Sequence, residues 1–417
     1  MSKVFRPYEP EQMLLMPAAL QEWLPPDHLA YFISDVVNHL DLSAIMSRYE
    51  AEERGYPPYH PRMMVKVLVY AYCIGVPSSR KIEKRLKEDI AFRVLAANNT
   101  PDFKTIADFR KDHLEALGSL FLQVLKLCQK AGLVKLGHVS LDGTKVKANA
   151  SKHKAMSYGR MKEEQQRLEA EVRELLQRAR DVDEEEDRRY GKGKRGDELP
   201  RELAFRESRL KKIREAKAAL EAEAKEAAER GRAEGKEHPG GKDFVQGYNA
   251  QAAVDSAHQV IVACDVTNQP SDKGQAEPMM EQVRHNTGQP PREMSADAGY
   301  FSAKAVREMT ELGVEAFIPP DKVRHTAHPI LAPRGRIPKG LSLIERMRRK
   351  LRTQRGKKRY ALRMETVEPV LGQIKQARGF RQFLLRGLRK VKGEWQLICT
   401  GHNLLKLFGV WRQVLAS

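Results

Sequence analysis

The chain of 417 residues is 41% hydrophobic and 31% charged, and its 74 Lys and Arg outnumber 55 Asp and Glu, leaving a formal net charge of +19. Domains take roughly 100–200 residues, so two or three are expected, and the positive surplus points to a polyanion, because each phosphate met by Lys or Arg releases condensed counterions. Membrane spans and disulfide scaffolds are excluded: the longest apolar run, Met63 to Val76, is broken by Lys66 and falls short of the roughly 20 residues a bilayer needs, and Cys73, Cys128, Cys264 and Cys399 lie far apart.

Residues 1–136 read as an all-α domain. The opening MSKVFRPYEPEQ holds no apolar signal-peptide core, so a cytoplasmic protein is expected. Asp27 is placed to cap a helix whose Leu29, Phe32, Ile33, Val36, Val37 and Leu40 fall at helical spacing. A second helix follows Pro61 and ends near Gly75, and a third, capped by Ser78 or Ser79, runs to about Ala97. Asn98-Asn99-Thr100-Pro101 breaks it before another helix bearing Phe103, Ile106, Phe109 and Leu114. With Arg80, Lys81, Lys84, Arg85 and Lys87 on the earlier helix, the pair reads either as a DNA-binding helix-turn-helix or as a bundle with a solvated basic face.

Residues 151–242 change character. Met161, Leu168 and Leu175 recur every seven residues, with Gln165, Val172 and Ala179 between them. After the acidic, Gly-rich DVDEEEDRRYGKGKRGDE, a second pattern runs through Leu203, Leu210, Ile213, Leu220 and Ala227. Two such helices joined by a polar turn predict an antiparallel charged hairpin inserted into another domain. Its faces read as solvated, with dimerisation or contact with DNA as the alternative.

The interrupted domain comprises 137–150 and 243–417. Gly137 to Val146 predicts a short strand with a carboxylate at its end, and Phe244 to Val254 and Gln259 to Val266 are strands joined at Asp255-Ser256-Ala257-His258. A helix over Gln275 to His285, a strand over Arg292 to Asp297, a helix over Ala303 to Leu312 and a strand over Val314 to Ile318 follow. Three strands, then helix, strand, helix and strand, make a mixed α/β sheet, the order of the ribonuclease H-like fold.

Two carboxylates stand out in that sheet: Asp142 in SLDGTK and Asp297 in SADAGYF each follow an apolar run, with Gly143 and Gly299 letting the chain turn away. Carboxylates on neighbouring strands repel unless a cation lies between them, and Mg²⁺ suits few carboxylates plus phosphate oxygens. Either Asp alone could be an ordinary turn residue. From Leu331 to Arg363 there are thirteen Lys and Arg and one acidic residue, Glu345. That density, including Arg346, Arg348, Arg349, Lys350, Lys357 and Lys358, marks a DNA-backbone contact. A helix after Pro369 would carry Glu368 in its first turn and Lys375 two turns on, either as metal ligand and phosphate contact or as a surface ion pair.

SLDGTK, SADAGYF and the series Tyr360, Arg363, Glu368, Lys375 together resemble bacterial insertion-sequence transposases with an Asp-Asp-Glu active site, in the branch with a Tyr-Arg-Glu-Lys signature. GYNAQAAVD, VTNQPSDKGQ and TPDFKTIADFRKDH resemble that branch too, so the likeness spans nearly the whole chain. In the family three residues commonly separate the Arg from the Glu, whereas four lie between Arg363 and Glu368 here, making Glu365 a rival. Glu368 is preferred because its gap to Lys375 is kept and Pro369 can open a helix. The resemblance implies a ribonuclease H-like catalytic domain in which Asp142, Asp297 and Glu368 hold two Mg²⁺ ions, with Mn²⁺ as substitute. It also implies that Arg363 and Lys375 grip DNA phosphates, that Tyr360 stacks on a base, and that a homodimer pairs the terminal inverted repeats of a transposon before joining them to target double-stranded DNA. No GxxxxGK[ST] loop for ATP is found. The rival readings are a ribonuclease H-like nuclease and a catalytically silent, transposase-derived DNA-binding protein.

Overall fold

Five strands form one mixed sheet, in the order β3-β2-β1-β4-β5, in this computed structural model. It describes residues 19–50, 58–150, 162–174, 176–177, 206–211, 213–215, 217–218, 246–321, 332–333, 335, 338 and 340–416. β1 (His138–Lys147), β2 (Gly247–Asp255) and β3 (Ile261–Thr267) are antiparallel neighbours, while β4 (Glu293–Ser295) and β5 (Glu315–Phe317) run parallel to β1. β2 is buried on both faces, and its Ala250, Ala252 and Ala253 let neighbouring layers approach closely.

The strand expected over Gly137 to Val146 spans His138–Lys147, and Asp142, expected at its end, lies within it, because the second half still pairs with β2 through Gly143↔Gln251 and Lys145↔Asn249. β4 pairs with β1 only as far as Ser140↔Ser295 and then turns away. β1 therefore loses its neighbour on that side just before Asp142, and the sheet opens there.

The N-terminal helices are α1 (Leu29–His39), α2 (Ser43–Glu50), α3 (Pro61–Cys73), α4 (Ser79–Glu88), α5 (Ile90–Leu95), α6 (Phe103–Asp112) and α7 (Leu114–Lys130). His28 rather than Asp27 caps α1, its Nδ1 accepting from the Ala30 N–H at 3.1 Å. The single helix expected to reach Ala97 is two, since Asp89 adopts extended backbone and caps α5 by accepting from the Ala91 N–H at 2.9 Å. Leu114, expected to continue the helix of Phe103, instead opens α7.

After β3 come α8 (Ala276–Thr287), α9 (Ala303–Glu311), α10 (Leu343–Arg352), α11 (Gln354–Glu365), α12 (Val367–Gly372), a π-helical turn Gln373–Ala377, and α13 (Leu388–Ala416). α13 packs against α3, α7 and β3. Its buried Trp395 donates from Nε1 to the Gln251 carbonyl at 2.9 Å, and the Asn403 amide both accepts from and donates to the backbone of Ile261. Through it the N-terminal helices and the sheet share one apolar core. Cys73, Cys128, Cys264 and Cys399 are buried in that core as free thiols.

The chain divides into two compact units, Met1–Asn149 with Gly247–Ser417, and Ala150–Gln246. In the second, residues 162–174 and 206–211 are helical, and Leu168, Leu210 and Ile213 form a small apolar cluster. Arg209 pairs with Glu164, Arg206 with Glu171 and Arg214 with Glu169. The seam positions Met161, Leu175, Ala179, Leu203, Leu220 and Ala227 lie outside the described residues.

Candidate active site

Asp142 stands where the sheet opens. Its Oδ1 accepts from the Gly143 N–H at 2.9 Å and its Oδ2 from Arg363 Nη2 at 3.0 Å. Asp297 lies two residues past the end of β4 and caps the short turn Ala298–Tyr300 by accepting from the Gly299 N–H at 2.8 Å. Burial pushes the Asp142 carboxyl above its ordinary range, the charge of Asp297 adds to the rise, and Arg363 opposes it.

Arg363 reaches Asp142 because α11 crosses β5, β4 and β1 while α12 continues over β1 and β2. Arginines four residues apart lie on one helix face, and here they step across the sheet. Arg355 meets Glu315 on β5 at 2.5 Å and Glu293 on β4 at 2.9 Å, and Arg359 meets Glu293 at 2.9 Å. Arg363 meets Asp142 on β1 and lies 3.6 Å from Glu368 Oε1. α11 ends at Glu365, Thr366 bends the backbone, and Glu368 follows in the first turn of α12. One guanidinium thus joins Asp142 to Glu368. The Glu365 side chain is exposed, and its backbone carbonyl accepts from Gln259.

Arg363 Nη1 donates to the Tyr360 hydroxyl at 3.3 Å, with the guanidinium 5.8 Å from the ring centre. Lys375 does not continue a straight helix from Glu368. It sits in the π-helical turn, and its Nζ donates to Thr144 Oγ1 at 2.9 Å and to the Lys145 carbonyl at 3.2 Å, just along β1 from Asp142.

Part of the basic segment is engaged within the chain. Arg348 pairs with Asp321 at 2.6 Å, Arg349 donates to the Gly335 carbonyl, and Lys350 meets Glu315 at 3.0 Å and lies 4.0 Å over the Phe317 ring. Arg346, Lys357 and Lys358 are exposed. On α4, Lys84, Arg85 and Lys87 pair with Glu88, Asp89 and Glu83, Arg80 lies over the Phe103 ring, and Lys81 is exposed.

Asp272 was not foreseen as a site residue. Its Oδ1 accepts from Asn249 Nδ2 at 2.6 Å and from Gln251 Nε2 at 2.8 Å, and the buried Tyr300 hydroxyl donates to Gln251 Oε1. The Tyr300 phenol is pushed up by burial first and then by Asp272, Asp142 and Asp297 in turn, so all three carboxylates act on one ring. Two polar side chains at alternate positions of GYNAQAAVD, in a strand otherwise too apolar to need them, were the available signal.

Gly143 also has a role other than a turn. A Cβ there would stand 2.4 Å from Gln251 Nε2, 2.6 Å from Asp272 Oδ1 and 2.8 Å from Asn249 Oδ1, so the glycine admits these side chains against β1.

The donor chemistry of Asp142, Asp297 and Glu368 fits a hard divalent cation, since every group offers carboxylate oxygen and Asp142 carries an unfavourable like-charge interaction that a cation relieves. Among the described residues no three His, Cys, Asp or Glu side chains are drawn together tightly enough to hold an ion. Arg363 supplies the positive charge between Asp142 and Glu368.

Two families match parts of the chain: one described as Transposase domain (DUF772) over residues 18–112, and one described as Transposase DDE domain over residues 338–408. No curated protein and no solved structure matches. The first family covers α1 to α6. The second covers Tyr360, Arg363, Glu368 and Lys375, while Asp142 and Asp297 fall outside both. These matches support a transposase, an enzyme class that acts on DNA. No helix among the described residues is long and apolar enough to cross a membrane.

Proposed function

We propose that the chain is an insertion-sequence transposase of the Asp-Asp-Glu type, which cleaves transposon ends and transfers the strands into target DNA. The observation that carries this reading is the Arg363 guanidinium joining Asp142 on β1 to Glu368 on α12, with Asp297 close enough to act on Asp142. The strand order β3-β2-β1-β4-β5, with three antiparallel strands followed by two parallel ones, supports a ribonuclease H-like catalytic domain over 137–150 and 243–417. On this reading 151–242 is an insertion, and 1–136 recognises transposon ends with the basic helix α4. The protein works in the cytoplasm, on the nucleoid when bound to DNA, as a dimer that pairs two ends.

Asp142, Asp297 and Glu368 would hold two divalent ions, Mg²⁺ or Mn²⁺. Bound there, such ions supply Lewis-acid stabilisation of the attacking and leaving oxygens of an in-line phosphodiester displacement. The chain's own residues bring the DNA to that point. Lys375, fixed to β1 beside Asp142, and Arg363 meet phosphate oxygens at the scissile position. Tyr360 offers its ring to a neighbouring base. Arg346, Arg348, Arg349, Lys350, Lys357 and Lys358 extend the backbone contact along α10 and α11.

The test is DNA cleavage with Mg²⁺ by Asp142→Asn and Asp297→Asn. Both variants are expected to bind DNA as the parent does and to cut none. Undiminished cutting by either overturns the assignment.

A further inference from the structure

Resting on the cation site proposed above, we infer that Asp272 is a further carboxylate of that site, held in place by Asn249 and Gln251 and acting beside Asp297. The geometry begins with the alternation of β1. Asp142 and Gly143 point to opposite faces of the strand, so Asp142 meets Arg363 on one side while Gly143 faces Gln251, Asn249 and Asp272 on the other. Asp297, past the end of β4, reaches both sides. It acts on Asp142, and its Oδ1 lies 3.0 Å from the point where a Gly299 Cβ would stand, with Asp272 Oδ2 3.4 Å from that same point.

The two oxygens of Asp272 have different surroundings. Oδ1 takes both amide donors, which fixes the plane of the carboxyl group. Oδ2 is left to face Gly299 and Asp297. Asp272 makes no ion pair among the described residues, in contrast to Asp142; the charge of Lys145 acts on it through space, while that ammonium itself donates to the Pro270 carbonyl at 2.6 Å. A second observation points to a ligand independently. Asn249 is 2% exposed, donates its Nδ2 to Asp272, and leaves a buried Oδ1 with no hydrogen-bond partner, aimed at Gly143 next to Asp142. A buried carbonyl oxygen without a donor is costly, and a bound cation with its water satisfies it.

Mn²⁺ binding to the full chain, counted by the loss of its free electron paramagnetic resonance signal, tests this without any DNA or turnover. Asp272→Asn keeps shape and removes the charge, and Asp142→Asn serves as the reference for the site itself. Both are expected to weaken Mn²⁺ binding by about tenfold or more, the range seen when a partner supporting a metal site is lost. Wild-type affinity in Asp272→Asn together with weakened binding in Asp142→Asn overturns the inference and leaves the proposed site standing. Wild-type affinity in both overturns the site as well. Should Asp272→Asn fail to fold, Asn249→Ala removes one of the two donors that fix Asp272 and is expected to weaken binding by about threefold to tenfold, a smaller loss within the same logic. Unchanged binding in that variant overturns the inference.

Discussion

Replacing Arg363 by Gln keeps hydrogen-bonding capacity and removes the charge that joins Asp142 to Glu368. The guanidinium lies 3.0 Å from Asp142 and 3.6 Å from Glu368, with Arg363 only 11% and Asp142 18% exposed. Removing one member of a buried ion pair costs about 3–5 kcal/mol. The loss is capped, because Asp142 can take up a proton instead: at pH 7 that costs about 4 kcal/mol for an ordinary carboxyl and less for one already pushed up by burial. Glu368, 47% exposed, adds little, since water solvates it. The expected loss is therefore about 2–3 kcal/mol with divalent ions chelated. Urea unfolding followed by the fluorescence of buried Trp395 measures it, first in EDTA and then in millimolar Mg²⁺. If cations replace the missing guanidinium, Mg²⁺ should return most of the loss, because a ligand at 100 times its Kd contributes about 2.7 kcal/mol. An Arg363→Gln midpoint in EDTA within about 0.5 kcal/mol of the parent refutes the reasoning.

Gly143→Ala pushes a methyl into Gln251, Asp272 and Asn249, all under 3.0 Å away, and should cost about 2–4 kcal/mol through the lost bonds to a charged acceptor and the overpacking. Parent-like stability in a denaturant titration would show that the three side chains move aside freely. Glu368→Gln should reduce DNA cleavage by more than roughly 100-fold while Glu365→Gln leaves it within about twofold, and the reverse order would move the third carboxylate to Glu365. His402, lowered by burial to about 3, stays neutral in the folded chain while the unfolded chain takes a proton below 6.5. Its folded pKa is depressed, so stability falls as pH drops from 6.5 towards 3, at about 1.4 kcal/mol per unit. His402→Gln should remove about 2 kcal/mol of the acid sensitivity between pH 6.5 and 5, and parallel acid unfolding of variant and parent would exclude His402 as its source.

What the sequence made legible follows from how local each signal is. The strands of the sheet could be read because Val, Ile and Ala runs bounded by polar turns need no tertiary information. α13 could not. It is enclosed by α3, α7 and β3, so its apolar residues do not fall on a single stripe, and the period that marks a half-exposed helix is weak. The glycine after Asp142 read as a turn because a glycine beside a polar residue usually is one. In the folded chain it lies mid-strand, where the missing Cβ admits Asn249, Gln251 and Asp272, and no local pattern separates those two uses. Asp272 itself sits in a loop rich in turn residues, and only the folded sheet sets it against β1.

The third carboxylate and the basic segment show why spacing along the chain has to be converted into spacing on a helix. Four residues rather than three separate Arg363 from Glu368. On one continuous helix the added residue would swing Glu368 away from Arg363 by about 100°, given 3.6 residues per turn. The bend at Thr366 absorbs it, ending α11 and restarting the backbone as α12, so that Glu368 returns to within 3.6 Å of the guanidinium. The same conversion sorts the cations. A count of positive residues treats Arg355, Arg359 and Arg363 like Lys357 and Lys358, yet the first three, four apart, turn towards carboxylates of the sheet while the two lysines between them face solvent. Density of charge therefore indicates that a polyanion can be met, and helical phase decides which residues are placed to meet it.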